Sequence, residues 1–223
     1  MAKATKPKLK IMVSSTVYGI KPLLKQVYDM LDGFGYEVWM SAKGTVPVTS
    51  DKHTYEDCLV AAQSCDVFLC LITGRYGSSV GGTGITQQEL QAAIDAGMPR
   101  WVMVEEKVKI ARSVFKKLGY KTIAKRAELL ESLGLNEGEG RKAMLKREAS
   151  VFDDFRVIDM YDVATLENVP PVQRKGNWVQ SFSVFDDVKQ YVGAQLGDYV
   201  RVEKLVTEHK KKKPTKKKAR KDK

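Results

Sequence analysis

The sequence predicts an α/β chain: a parallel sheet of about five strands with helices on both faces and a helical insertion. Two observations carry that expectation. Short apolar runs alternate with helix-patterned segments up to Val104, the signature of strand–helix–strand units. From Lys107 to about Ser150 the alternation gives way to charged pieces with helical periodicity. The 223 residues suit one domain of good size with an elaboration.

In chain order, Leu9 to Ser14 (LKIMVS) reads as a first strand, apolar on both faces as a central parallel strand must be. Ser15 to Gly19 supplies a turn with helix-capping hydroxyls. Ile20 to Phe34 follows with Leu23, Leu24, Val27, Met30, Leu31 and Phe34 at helical spacing and Gly35 to end it. Tyr36 to Met40 reads as a second strand. Ser41 to Thr54 is a long connection, a candidate substrate or assembly loop, and Tyr55 to Gln63 is a helix capped by Asp51 or Thr54. Asp66 to Ile72 is the third strand, Gly74 to Gly84 a loop with five glycines, and Pro99 to Val104 the fourth strand.

Beyond it, Val108 to Leu118, Ile123 to Leu133 and Gly140 to Ala149 are expected as helices of an insertion spanning about residues 105–154. Val157 to Tyr161 (VIDMY) returns to strand pattern, and Phe185 to about Val206 reads as one closing helix. The domain is bounded as residues 8–208, between a basic arm at 1–7 and a basic tail at 209–223 expected to be disordered.

Charge is distributed unevenly. Of a formal net +11, residues 210–223 carry +9 and Lys3, Lys6, Lys8 and Lys10 a further +4, leaving −2 for residues 11–209. The body is therefore not a basic nucleic-acid-binding domain, and nonspecific nucleic-acid contact is expected only through the 210–223 tail. Cys58, Cys65 and Cys70 lack metal-ligand spacing and only His53 and His209 could join them, so free buried thiols in a cytoplasmic protein are expected, with no metal. No stretch reaches the roughly 20 apolar residues that span a bilayer.

The chemistry-bearing stretch is Ser64 to Pro99. Glu89 is expected in the first turn of the helix after the glycine-rich loop, on the border of its apolar stripe. There it would meet a cleft lined by Ser14, Thr16, Tyr18, the Ser41 to Val48 loop and Tyr76. A favourable charge at a helix start explains Glu89 equally well, and a mobile surface loop explains the glycines. No phosphate loop, dinucleotide fingerprint or Gly-x-Ser-x-Gly elbow is present.

The stretches KIMVSSTVYG, GYEVWMSAKGTVPV, TYEDCLVAAQSCDVFLCLITGRYGS and GITQQELQAAIDAGMPRWVMV together resemble an uncharacterised bacterial domain family related to TIR domains and nucleoside deoxyribosyltransferases. The resemblance covers Lys8 to about Val104 and extends to the ending GNWVQSFSVFDDVKQYVGAQL. It implies a flavodoxin-like (TIR-like) sheet with a site at the ends of the first three strands, and it places the family's sugar-directed glutamate at Glu89. Catalytic TIR domains often carry Trp-Cys before that glutamate, where this chain has Ile85-Thr86.

The implied activity is an NAD or nucleoside N-glycosidase in bacterial defence or signalling, with NAD as a substrate and not a cofactor. Ser14, Thr16 and Arg75 are candidates to hold ribose hydroxyls or phosphates and Tyr18 and Trp39 to stack on a base, with Ser15 and Tyr76 as further substrate-binding candidates. A homo-oligomer is among the expected partners. The alternative is a non-catalytic TIR-like interaction or nucleotide-sensing domain.

Overall fold

A computed structural model describes residues 7–135 and 151–212 of the chain. Its centre is β3 (Val67–Ile72), six apolar residues buried on both faces. β1 (Lys10–Ser15) lies beside it and carries β2 (Glu37–Trp39) on its outer edge. On the other side come β6 (Arg100–Glu105) and β7 (Val179–Phe182), every pairing parallel. The order β2-β1-β3-β6-β7 is that of a flavodoxin-like fold once the small antiparallel hairpin β4 (Ser79–Val80) and β5 (Thr83–Gly84) is set aside.

The pleat divides the core in two. Met12, Phe68, Cys70, Ile72, Val102 and Val104 point to one face, where they pack with α2 (Thr54–Ser64), α3 (Ile85–Asp95) and α6 (Val157–Ala164). Ile11, Val13, Val67, Leu69, Leu71 and Met103 point to the other, against α1 (Lys21–Gly33), α7 (Phe185–Leu196) and α8 (Tyr199–Lys212). Successive residues of each strand alternate between these cores, as β geometry requires.

Helix α1 starts without a side-chain cap and with Pro in its first turn. It ends at Phe34, and Gly35 follows at φ 99, a left-handed conformation that favours glycine. The Ser15 to Gly19 hydroxyls therefore do not cap it. Neither Asp51 nor Thr54 caps α2, whose N-cap is His53 without a side-chain bond. Asp57 instead holds the preceding loop, accepting from the backbone N–H and hydroxyl of Thr49 at 2.9 and 3.0 Å.

Three further expectations are corrected. Val157 to Tyr161 is not a strand but the start of α6, because Asp159 and Asp162, one helical turn apart, both bind the buried Arg126. The fifth strand is β7, a half-buried edge segment with little apolar signal. The closing helix is two, broken after Leu196, where Gly197 ends α7 and the Asp198 carboxylate accepts from the Arg201 N–H at 3.0 Å to begin α8.

Helix α8 also runs on to Lys212, past the expected start of the tail, and Lys210 pairs with Asp66 at 2.5 Å. The rest of the tail, the arm at 1–6 and the expected helix at 140–149 lie outside the described residues. The other two expected helices are present as α4 (Glu106–Lys117) and α5 (Ile123–Ser132). With α6 they elaborate the crossover from β6 to β7. No helix among the described residues is long and apolar enough to cross a membrane.

Candidate functional site

The chain leaves β1 for β2 in one direction and reaches β3 and β6 in the other. The carboxyl ends of β1 and β3 therefore flank the switch point of the sheet, where ligands of open α/β folds bind. Ser14 stands near the end of β1, opposite Cys70 of β3 in the parallel register. It shares the face of Met12, so it points toward α2 and α3.

Helix α3 brings Glu89 to this point. The N-cap is Gly84, which puts Glu89 in the second turn. Thr86, Glu89, Leu90 and Ala93 are its buried residues, so Glu89 lies within the inward stripe and not on its border. With 5% of its surface exposed, the side chain belongs to the interior more than to a cleft rim. No first-turn acid is present in α3, and the helix-start charge does not explain Glu89.

What the carboxyl gains instead is hydrogen bonding. Ser14 Oγ donates to Glu89 Oε2 at 2.5 Å, and the Cys58 thiol of α2 is its second partner. Burial still dominates and raises the carboxyl pKa to about 7, against the lowering effect of both hydrogen bonds. Burial, then the charge of Glu89, pushes the Cys58 thiol up to about 12. The Cys70 thiol is raised by the same two causes. A buried carboxyl poised near neutrality among neutral hydroxyl and thiol groups is the kind of group found where protein chemistry is done.

The loops after β1 and β3 meet above it. Thr16 Oγ1 donates to the Arg75 carbonyl at 3.0 Å and lies 3.1 Å from Thr73 Oγ1. Gly77 packs so closely that a Cβ there would sit 2.8 Å from Thr16 Cγ2, and its φ of 75 suits glycine alone. Tyr76 turns inward and is buried in the core cluster that contains Cys58 and Cys70. Its hydroxyl donates to Gln87 Oε1 at 2.7 Å and accepts from the Gly84 N–H at 2.9 Å. The glycine-rich segment is thus tied to the end of β1 through Thr16 and to the start of α3 through Gln87.

The other candidates divide. Ser14 meets Glu89, Thr16 meets Thr73 and the Arg75 carbonyl, and Tyr76 is buried in the core cluster with Cys58 and Cys70. Arg75 takes part through its backbone, its carbonyl accepting from Thr16 and its N–H donating to Thr73 Oγ1 at 3.2 Å. The Ser15 hydroxyl is committed to the Leu71 carbonyl at 2.8 Å. Trp39 is buried, with its indole N–H on Glu37 at 2.8 Å and the Lys10 ammonium 5.0 Å over its ring, a packing role and not an open stacking platform. Tyr18 is 67% exposed.

Sequence reasoning passed over Cys58, Cys70 and Thr73 as site residues. Cys70 was reachable from strand register with Ser14, whereas Cys58 meets Glu89 only through the packing of α2 on α3. Among the described residues no group of three or more His, Cys, Asp or Glu side chains could hold a metal ion.

A family model described as Domain of unknown function (DUF4062) matches residues 10–137, a segment that includes Ser14, Cys58, the glycine-rich loop and Glu89. No curated protein matches the chain.

Proposed function

The chain belongs to that family, Domain of unknown function (DUF4062), a description that assigns no reaction, and from the site itself we propose an N-glycosidase that releases the base from NAD or a nucleoside. The observation that carries the reading is the Glu89 carboxyl, buried beside Ser14 at the switch point with its pKa raised to about 7. Breaking a ribose-to-base bond builds positive charge on the anomeric carbon. A carboxylate held against that carbon stabilises the oxocarbenium-like state or attacks it, and a water molecule that then adds to the anomeric carbon and loses its proton to solvent completes the hydrolysis. In NAD the electron pair of the broken bond neutralises the cationic nicotinamide nitrogen. No general acid is then needed, which suits a pocket whose other groups are hydroxyls and thiols.

The raised pKa contributes in its own way. An ionised Glu89 is destabilised in the empty protein and gains most from a cation placed beside it, so part of its interaction is reserved for the transition state. Ser14 Oγ fixes one carboxylate oxygen, leaving the other to face the sugar once ligand replaces the Cys58 contact. On this reading Thr16 and the backbone of the Thr73 to Gly77 segment meet ribose hydroxyls or phosphate oxygens once ligand displaces the contacts of Thr16 with Thr73 and Arg75. The resemblance to TIR domains and deoxyribosyltransferases supports the same assignment for Glu89, and with it a role in bacterial defence or signalling.

A second reading is favoured by one observation: Glu89 is only 5% exposed and spends its hydrogen bonds on the protein. On that reading the domain senses a nucleotide or mediates interaction without chemistry. The two separate on incubating concentrated protein with NAD and a nucleoside panel and measuring free base by chromatography. The glycosidase releases base, and Glu89→Gln lowers the rate by at least about a hundredfold. Base release by Glu89→Gln at the wild-type rate overturns the assignment. Nucleotide-dependent thermal stabilisation without any base release supports the sensing reading.

A further inference from the structure

The glycine-rich loop is fastened by a segment that belongs neither to the sheet nor to the family match. Residues 151–156 run along the outer side of the glycine-rich loop and hold both of its ends. At the near end, the Val151 carbonyl lies so close that a Cβ on Gly74 would approach it to 2.4 Å. The Asp153 N–H donates to the Gly74 carbonyl at 3.2 Å, and the Asp153 carboxylate accepts from the Tyr76 N–H at 2.7 Å.

At the far end, Arg156 donates through Nη1 to the Gly82 carbonyl. Its guanidinium lies 4.3 Å over the ring of Tyr76, which is buried in the core cluster that contains Cys58 and Cys70. Asp154, itself buried, aims that guanidinium by accepting Arg156 Nε at 3.0 and 2.9 Å on its two oxygens and Nη2 at 2.5 Å.

The same short segment is built into the crossover helices. The Phe155 ring packs 5.3 Å from that of Phe115 on α4 and 6.2 Å from that of Phe152. The clasp is therefore carried by the elaboration between β6 and β7, and a shift of that elaboration acts directly on the loop. The body of the domain holds the same loop through Thr16, through the contacts of Tyr76 with Gln87 and Gly84, through the Gly74 N–H donating to Glu105 Oε2 at 2.6 Å and through Gln88 Nε2 donating to the Val80 and Thr83 carbonyls at 2.9 Å.

We propose that residues 151–156 form a latch: Asp153 and Arg156 keep the Thr73 to Gly84 loop closed over the Glu89 crevice, and their release admits ligand. The inference rests on the reading of this crevice as the site and assigns its regulation to the crossover elaboration. Asp153 and Arg156 are positioning residues, which act on Glu89 only through Tyr76 and the loop.

Cys58 provides a readout independent of any reaction, because its thiol lies against Glu89 under the cover, whereas Cys65 precedes β3 at the opposite end of the sheet. The intact chain is treated with iodoacetamide at fixed pH, and the modified cysteines are assigned by peptide mass. In Arg156→Ala and in Asp153→Ala, Cys58 modification accelerates about tenfold, the loss of one charge-assisted contact from the closed state, while Cys65 keeps its wild-type rate. Unchanged Cys58 rates in both variants overturn the latch, and so does equal acceleration of Cys58 and Cys65, which reports loosening of the whole fold. Faster Cys58 modification without base release from any variant upholds the latch and removes the glycosidase reading.

Discussion

Glu89 shows how much a single burial decides. Its carboxyl moves from an ordinary value of 4.5 to about 7 because the interior disfavours its charge more than Ser14 and Cys58 favour it. The folded state then holds its proton at pH values where the unfolded chain has lost it. Stability is full below about 4.5 and falls as pH rises toward 7. The loss is on the order of 3 kcal/mol. Glu89→Gln, neutral throughout, lacks this term. Urea unfolding at a series of pH values is expected to show the variant's stability rising relative to wild type across that window and levelling above it. A constant difference between the two proteins would contradict the burial argument. The inward position was not legible in the sequence: Glu89 sits beside Leu90 on the helical wheel, and only the small Ser14 and Cys58 opposite make room for a carboxyl on the core side.

At the scale of elements, strands and helices with an apolar period were read correctly up to β6, because in a sheet covered on both faces pattern and burial coincide. The errors cluster where polar groups determine the structure. VIDMY has the composition of a buried strand, yet Asp159 and Asp162 turn it into a helix by meeting Arg126 from one side. Arg126 Nε binds Asp159 at 2.7 Å, Nη2 binds Asp162, and Nη1 binds the Tyr120 carbonyl at 3.2 Å. Arg112 holds Asp162 from α4 at 2.5 Å. Burial outweighs Arg126 and leaves the Asp159 pKa raised to about 6, a sign that this network is costly to bury. Removing its central cation strands the Asp159 carboxylate and leaves Asp162 with Arg112 alone, so Arg126→Ala is expected to cost about 3 to 5 kcal/mol in urea unfolding. A loss below about 1 kcal/mol would mean that apolar packing alone joins α5 to α6. The break between α7 and α8 was legible in principle, since Gly197-Asp198 pairs a helix stop with a helix cap.

The whole molecule places its pieces in a consistent order. A parallel sheet puts its switch point between β1 and β3, and α3 brings a carboxyl under it. The β3 loop is tied to the end of β1 and to α3, and the crossover elaboration reaches back to hold that loop. The sequence carried the first two of these as strand order and as the residue Glu89. It concealed the last two: Thr16 meets Arg75 across 59 residues of chain, and Asp153 and Arg156 meet the loop across 77 and 74. The central claim, that an ionised Glu89 acts on the sugar, is tested most directly by the pH dependence of kcat/KM for base release, which reports ionisation in the free protein. The account predicts a rate that rises with pH to a plateau with its midpoint at about 7, and in Glu89→Gln a low rate without that rise. A profile that is flat between about pH 5.5 and 8.5, or one that Glu89→Gln reproduces, would contradict it.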